Sequence, residues 1–408
     1  MNRMTRKIVL ALSALVFAYV SVGYLLAKTN DDKSYRVLTV YSEVLEHIQH
    51  DYVEDPNLHT VTAGALHGLL DSLDPQSSYL SPLEYADYKK KAALPQPAQA
   101  GLVLSRRFGF IMVVSVLPDS PAKQAGIHNG DILESIGGFT TDRMSIGQAG
   151  VLLSGPVGQK VTVAIVRPEK PKPDEVEITL AKLTPEHITV EQLPNDVTML
   201  RIPSFETGIV AQLREKLVAL NNSNSKKLIL DLRDAAAGPD EQGVDAAQLF
   251  LSSGTITTLK GQTIAAQTFS ADPAKVVWKN PVVALISDNT AGPAEILAAA
   301  LSGNHRGATV GVRTFGMASE QKWIVLDDGS ALDLTVAMYY TPGGKSILND
   351  GVEPSAPLHL VADDLAWLKN YEEGKPDASP LTDDPFLKKA MDLLSAPPAE
   401  SAPVKKAA

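Results

Sequence analysis

Hydrophobic spacing divides the chain into three successive patterns. At 35–91, apolar residues recur every three or four positions, which predicts amphipathic helices, the second ended by Asp74-Pro75. At 98–183, short β-type runs separated by Gly and Pro predict strands and turns. At 184–360, continuous apolar strands alternate with helices, and a last helix is predicted at 385–394. The third pattern indicates a buried, mixed or parallel α/β sheet.

The N-terminus adds a separate apolar segment. Arg3, Arg6 and Lys7 precede an uncharged run at 8–27, which is long enough to cross a bilayer as a helix. We predict an uncleaved membrane anchor, with the basic tail in the cytoplasm and the main body outside. A cleaved signal peptide is the alternative, although Leu25-Leu26-Ala27 is a poor cleavage site.

Composition narrows the classes of function. The chain has 408 residues, 37 Lys and Arg against 47 Asp and Glu, a formal net charge of −10 at pH 7 and no Cys. This length allows several domains at roughly 100–200 residues each. The negative charge argues against nucleic acid as the main partner. The lack of Cys excludes disulfides, thiolate zinc sites and a Cys nucleophile.

The segment SPAKQAGIHNGDILESIGG at 120–138 carries a specific motif. Ser120-Pro121 predicts a helix start, Gly126 its end, and Gly130-Asp131 a turn into a strand at 132–136. This segment resembles a PDZ domain.

PDZ domains bind a peptide C-terminus by adding it as a strand to a sheet edge, with loop N–H groups around the terminal carboxylate. The resemblance places the peptide-binding residues at Gly101, Leu102, Val103 and Leu104. A PDZ fold that packs inside the protein without binding peptide is the alternative.

Motifs along most of the chain resemble the carboxyl-terminal processing, or tail-specific, serine proteases. GLLDSLDPQSSYL at 68–80 is followed, in the family's order, by the PDZ segment and by LILDLRD, AEILAAAL, TFG, DGSALDLTVAMYYTPGGKSI and GVEP. The resemblance implies a multidomain α/β protein with an N-terminal helical segment, an inserted β-rich PDZ domain with two helices, and an α/β protease core. The predicted domains are a tail and anchor at 1–34, helices at 35–95, the PDZ domain at 96–183, the core at 184–395 and a disordered tail at 396–408.

The family hydrolyses peptides with a Ser/Lys dyad, in which a buried Lys of lowered pKa acts as the base. The resemblance places the nucleophile position at Gly292 and the base position, 25 residues later, at Met317. A positioning Gln is kept as Gln321, whereas the oxyanion positions fall on Pro293, which has no N–H, and Gly238. The sequence around the site therefore still resembles the family, whereas the nucleophile and the base are absent.

Three alternatives follow from the remaining polar residues. A relocated nucleophile could be Ser287, Thr290 or Ser319 with Lys322 as base, but a shift of two residues moves a hydroxyl farther than catalysis tolerates. We predict instead that Thr290 caps the following helix. The scattered His residues lack ligand spacing and no phosphate-binding loop precedes a helix, so a metal enzyme and a nucleotide binder are disfavoured.

The sequence therefore predicts a membrane-anchored, periplasmic pseudoprotease of this family in the bacterial cytoplasmic membrane. Its PDZ groove and inactive cleft would bind protein or peptide C-termini, or an active protease relative, without a cofactor or metal. A working serine endopeptidase of the same family is the alternative function.

Overall fold

The computed structural model describes residues 32–395 and residue 17, with gaps at 95–96, 108, 143, 168–169, 171, 185, 224, 362–363, 365–366 and 368–382. The chain divides into two compact units, Met1–Ala65 and Leu66–Ala408. The predicted disordered tail at 396–408 lies outside the described residues. The predicted domain boundaries stay predictions.

The N-terminal region is helical, as its periodicity predicts. Helices α1 (Asp32–Asp51), α2 (Leu58–Asp71) and α3 (Pro82–Ala92) follow one another, and strand β1 (Ser78–Leu80) precedes α3. Ser81 begins α3 with a capping box, since its Oγ accepts the N–H of Glu84 and the Glu84 carboxylate accepts the N–H of Ser81. Strand β1 was not predicted, because its three residues are too few to show a period.

The predicted membrane anchor, and with it the periplasmic location, is wrong. No helix within the described residues is long and apolar enough to cross a bilayer. The longest, α1, has 20 residues and carries Arg36, Glu43 and Glu46. Charged side chains at such positions are costly in a bilayer core. Apart from Phe17, the segment 8–27 on which the prediction rested lies outside the described residues.

Residues 98–181 form the PDZ-like domain. Its main sheet has the order β3-β4-β5-β8-β9, and a hydrophobic core lies between this sheet and two short helices. Ser120 caps the first helix and Ile132–Ile136 is a strand, as the motif predicts. The elements are β2 (Ala98–Gln99), β3 (Leu102–Arg107), β4 (Phe110–Val116), α4 (Pro121–Gln124), β5 (Ile132–Ile136), β6 (Phe139–Thr140), α5 (Ile146–Leu152), β7 (Ser154–Gly155), β8 (Lys160–Val166) and β9 (Asp174–Thr179).

The core contains the predicted mixed sheet, in the order β10-β11-β12-β15-β16-β19. Strand β10 is antiparallel to β11, and the other pairs are parallel. Leu228 and Leu230 of β12 face one hydrophobic core, whereas Ile229 faces a second core that includes helix α9. Both faces of the strand are buried, which explains its continuous apolar sequence.

A second sheet, β1-β18-β13-β14 with β17 beside β18, completes the core. Strands β17 and β18 form a hairpin whose turn contains Asp327-Asp328-Gly329, and Gly329 has φ +85°. The core elements are β10 (Thr189–Leu193), β11 (Val197–Arg201), α6 (Ile209–Asn221), β12 (Lys227–Asp231), α7 (Asp240–Gln248), β13 (Thr255–Lys260), β14 (Gln267–Ser270), a 3₁₀ turn (Pro273–Lys275), β15 (Val282–Ile286), α8 (Pro293–Gly303), β16 (Ala308–Gly311), β17 (Ser319–Val325), β18 (Ala331–Tyr340), β19 (Ala356–Pro357) and α9 (Pro385–Ser395).

A buried ion-pair network joins α9 to the sheet. Arg233 donates to Asp231 at 2.8 and 2.9 Å and to Asp384 at 2.8 Å, and all three side chains are buried. Burial opposes ionisation of Asp231, but Arg233 outweighs burial and lowers the pKa of Asp231 to about 2. Burial raises the pKa of Asp384.

This network predicts a loss of stability in acid. The stabilisation from Asp231 is present above its unfolded pKa of 3.8 and is lost as the pH falls toward about 2. We expect the difference in unfolding free energy between wild type and Asp231→Asn to shrink by about 2 kcal/mol from pH 5 to pH 2, measured by urea titration. The contribution of Asp384 to stability changes with pH in the opposite direction, and it does so in both wild type and Asp231→Asn. A difference that stays constant with pH would contradict this prediction.

Candidate active site

Two loops at one edge of the core sheet contain the nucleophile position and one of the two oxyanion positions. Gly238 follows strand β12, and Gly292 follows strand β15. These strands are parallel neighbours, so their carboxyl ends meet at the same edge, where α/β sheets bind ligands. The same cavity, of about 270 Å³, is lined by Gly238, Gly292, Pro293, Met317 and Gln321.

Gly292 has a backbone conformation that favours glycine. Its φ is +56° and its ψ −121°, and it is the N-cap of α8. A Cβ at this position would lie 3.1 Å from Oδ1 of Asp240 and 3.6 Å from the carbonyl oxygen of Ala236. The sharp turn that would present a nucleophile is therefore kept, but no side chain projects from it.

Glu295 holds the nucleophile and base segments together. Its Oε2 accepts the N–H groups of Gly292 at 2.9 Å and Met317 at 2.8 Å. It also accepts the N–H of Ala318 at 3.3 Å, while its Oε1 accepts the N–H of Gly316 at 2.7 Å and the hydroxyl of Thr314 at 2.5 Å. One buried carboxylate thus fixes the two positions against each other.

The charge of Glu295 follows from two opposed effects. Burial raises its pKa to about 6, while the hydrogen bonds from Thr314, Met317, Gly316 and Gly292 act in the opposite direction. Glu295 is therefore ionised at pH 7, which matches its five hydrogen-bond donors.

Met317 occupies the base position with an apolar side chain. It packs, together with Val103, against a buried cluster of Val114, Ala236 and Ala291. This cluster joins the PDZ-like domain to the core. A thioether is a weak hydrogen-bond acceptor and cannot take a proton from a hydroxyl.

The two oxyanion positions differ from each other. Gly238 has φ +111°, and a Cβ there would lie 2.2 Å from the carbonyl carbon of Phe205, so only Gly fits. Pro293 lies at the first position of α8, which proline favours, but it has no N–H to donate. One of the two family donors is therefore absent.

Gln321 connects the cavity to the N-terminal motif. Its Nε2 donates to Oγ of Ser319 at 2.8 Å and to Oγ1 of Thr335 at 3.4 Å. Thr335 donates to Asp74 at 3.0 Å, and Asp74 also accepts the N–H groups of Gln76 and Ser77, both at 2.8 Å. The segment LDPQSSYL is therefore a turn that fixes β1 beside β18.

The nearby hydroxyl groups are engaged elsewhere. Thr290 donates to the carbonyl of Leu232 at 2.8 Å and is fully buried, and Ser287 donates to the carbonyl of Arg233. The prediction that Thr290 caps α8 is wrong, because its Oγ1 accepts the N–H of Ser287 and Gly292 is the cap. Ser319 donates to the carbonyl of Met317 at 2.8 Å.

Sequence reasoning missed Asp240. Its Oδ2 accepts the N–H of Ser319 at 2.9 Å, and its Oδ1 lies next to the space above Gly292. Burial raises its pKa well above the ordinary value, and the charge of Glu295 adds to this effect. In the sequence Asp240 is an acidic residue in the first turn of a helix, a common position that gives no sign of a site.

The predicted peptide-binding segment borders a larger cleft of about 940 Å³. Gly101, Leu102, Val103 and Leu104 line one side of this cleft, and Gly147 and Gly150 of α5 line it as well. Among the described strands, β3 pairs only with β4, so its other edge is free. Gly101 has φ +79°, and a Cβ there would lie 2.3 Å from Cβ of Ser120. The cleft continues to Gly238 and Gln321 of the core.

Comparison with known proteins agrees with this arrangement. The profile of peptidase family S41 matches residues 196–358, and a PDZ domain profile matches residues 112–167. The carboxy-terminal-processing protease of Bartonella bacilliformis is 29% identical over 332 residues, 80% of this chain and 76% of the relative. The carboxy-terminal processing protease CtpA of Bacillus subtilis is 29% identical over 341 residues, 83% of this chain and 72% of the relative.

A solved structure extends the similarity to the fold. The photosystem II D1 C-terminal processing protease superposes with a TM-score of 0.65 at 26% identity, covering 78% of this chain and 86% of that chain. The mixed α/β core and the inserted PDZ domain expected from the sequence are confirmed. The chain belongs to the carboxy-terminal processing protease family, with a PDZ domain and a peptidase S41 core.

Proposed function

We propose that this protein is a pseudoprotease that binds the C-termini of other proteins without cleaving them. The observation that carries the proposal is the contact of Glu295 with both Gly292 and Met317. The nucleophile and base positions are held together as catalysis would need, but they hold a hydrogen atom and a thioether. Peptide hydrolysis by a Ser/Lys dyad needs a hydroxyl and an amine there.

The hydrogen bonds of the neighbouring side chains support the loss of activity. The hydroxyls of Ser287, Thr290 and Ser319 each donate to a backbone carbonyl, so none of these three hydrogen bonds is made to an amine. Lys322 is exposed on strand β17, whereas a catalytic lysine base lies buried. Activation of a relocated hydroxyl therefore has no support from this geometry.

The cleft supports a role in binding. A free edge on β3 offers the backbone groups that an added peptide strand needs, and Gly150, where a Cβ would meet no atom within 4 Å, leaves room in the cleft. The same cleft reaches Gly238 and Gln321, so a bound C-terminal segment could extend toward the inactive site. An active relative is a further partner in this proposal, since sequestering or presenting substrates needs binding alone.

A free C-terminal carboxylate should determine this binding. We expect peptides with free apolar C-termini to bind at about micromolar strength and their amidated forms to lose most of that affinity, measured by isothermal titration calorimetry. Equal binding of acid and amide, or binding of neither, would overturn the proposed mode.

Gly150 offers a matched pair of variants for the same measurement. A Cβ at Gly150 meets no atom within 4 Å, so Gly150→Ala should keep the affinity. Gly150→Phe places a ring in the cleft and should weaken binding at least about 10-fold, while the helix gains propensity in both variants. Unchanged binding to Gly150→Phe would show that the peptide binds to another surface.

A further inference from the structure

One wall of the 940 Å³ cleft combines two aromatic rings with one carboxylate. Trp323 and Asp333 are directly paired across β17 and β18, so their side chains share one face of the sheet. The ring of Tyr88 stacks on Trp323 with centroids 4.8 Å apart and planes 23° apart. Tyr88, Trp323 and Asp333 all line the 940 Å³ cleft, and we name these three residues the aromatic recess.

One carboxylate oxygen of Asp333 has no hydrogen-bond partner among the described residues. Its Oδ1 is buried and accepts no hydrogen bond. Burial and the nearby charge of Asp74 raise the pKa of Asp333 to about 6. A buried oxygen without a donor is uncommon and costs free energy, so a donor from outside the chain would be favoured here.

The described charged residues that line the cleft and the adjoining cavity are all acidic. None of the described residues that line the cleft or the adjoining 270 Å³ cavity is Arg or Lys. Six acidic residues line these two spaces: Glu186, Glu206 and Asp333 in the cleft, and Asp240, Glu241 and Glu320 in the cavity. A cleft lined by one sign of charge concentrates ligands of the opposite sign.

The aromatic rings favour an organic cation over a metal ion. An ammonium or guanidinium group binds over the faces of Trp and Tyr rings, and the chain already shows this contact outside the cleft, where Nζ of Lys89 lies 4.5 Å from the ring centroid of Tyr85. A bare metal ion is a poorer fit, because the described residues contain no group of three His, Asp or Glu placed to hold one.

We propose that the aromatic recess binds a Lys or Arg side chain of the polypeptide held in the cleft. The cation would lie against Trp323 and Tyr88 and neutralise Asp333. This inference rests on the proposed function, since it assigns the class of residue that the bound segment carries.

Peptides with free C-termini test the recess on the full chain. One series carries a single Lys at successive positions before the C-terminus, and a matched series carries norleucine, which has a similar chain length without the charge. Titration calorimetry should find one position at which Lys binds about 10-fold more tightly than norleucine. In Asp333→Asn this preference should fall to about twofold or less, while the norleucine peptides bind as before.

Asp327→Asn is the control variant. Asp327 is an exposed carboxylate in the turn of the same hairpin, so its loss removes the same charge outside the cleft and should keep the Lys preference. If norleucine peptides bind but Lys gives no preference at any position, the recess proposal is overturned and the proposed function stands. If no peptide binds, both fail. A preference that survives in Asp333→Asn would also overturn the assignment.

Discussion

Peptide hydrolysis is expected to appear when Gly292→Ser, Pro293→Ala, Met317→Lys and Asp240→Asn are combined. The first and third changes supply a hydroxyl and an amine on two segments that Glu295 already fixes. Pro293→Ala restores an N–H, and without it the rate should be roughly 100- to 1,000-fold lower, as for other lost oxyanion donors. Cleavage of a fluorogenic tail peptide measures the rate.

Asp240 is the obstacle that only the structure reveals. A Lys at position 317 would share the 270 Å³ cavity with this carboxylate, and pairing with it would raise the pKa of the Lys. A general base needs the opposite shift. Asp240→Asn keeps the shape and an oxygen for the N–H of Ser319.

The comparison needs folding to be matched across variants. Ser at position 292 must adopt a positive φ, a strain of order 1–3 kcal/mol, so each variant is compared at a temperature where thermal melts show it folded. A variant that retains Asp240 and is as active as the fourfold variant would show that Asp240 is no obstacle. A variant that retains Pro293 and is equally active would show the same for Pro293.

Replacing Glu295 by Gln is expected to cost about 3–5 kcal/mol of unfolding free energy at pH 7. Five donors converge on this carboxylate, and an amide would turn its own N–H groups toward some of them. Urea titration measures the loss. Glu241→Gln is the control, because Glu241 is exposed in the same region and should change stability by about 0.5 kcal/mol or less.

The role of Glu295 also predicts how the free energy of unfolding depends on pH. Its folded pKa of about 6 lies above the ordinary 4.5, so the folded state holds the proton more tightly. The contribution of Glu295 to stability should therefore fall by about 2 kcal/mol in total as the pH rises from about 3.5 to about 7, and Gln should abolish that slope. A slope retained in Glu295→Gln, or a loss at pH 7 no larger than in Glu241→Gln, would contradict the role of Glu295.

Local patterns predicted most of the fold. Ser120 and the strand at Ile132–Ile136 follow from capping and turn residues a few positions apart, and the buried strands follow from uninterrupted apolar runs. Strand β1 escaped this reasoning, because its three residues become a strand only by pairing with β18. The predicted anchor was wrong, because no described helix is long and apolar enough to cross a bilayer. An apolar run in the sequence gives only the length and hydrophobicity of a segment.

The candidate site was predicted unevenly for a physical reason. Gly292 and Met317 could be named because the motifs around them resemble those of the family and keep its 25-residue spacing. Asp240 and Asp333 could not, since their importance comes from a cavity that distant segments build together. Thr290 was assigned a capping role from its position, but its hydroxyl instead donates to the carbonyl of Leu232, 58 residues away.

Incubation of the full chain with a stoichiometric amount of a tail peptide tests the pseudoprotease proposal most directly. The peptide has a free apolar C-terminus, and mass spectrometry follows it over hours, with the fourfold variant as the positive control. With Gly292 and Met317 in place we expect the peptide to remain intact and the protein to stay unlabelled by a fluorophosphonate probe. Hydrolysis that scales with wild-type protein concentration and is lost in Thr290→Ala would contradict the proposal.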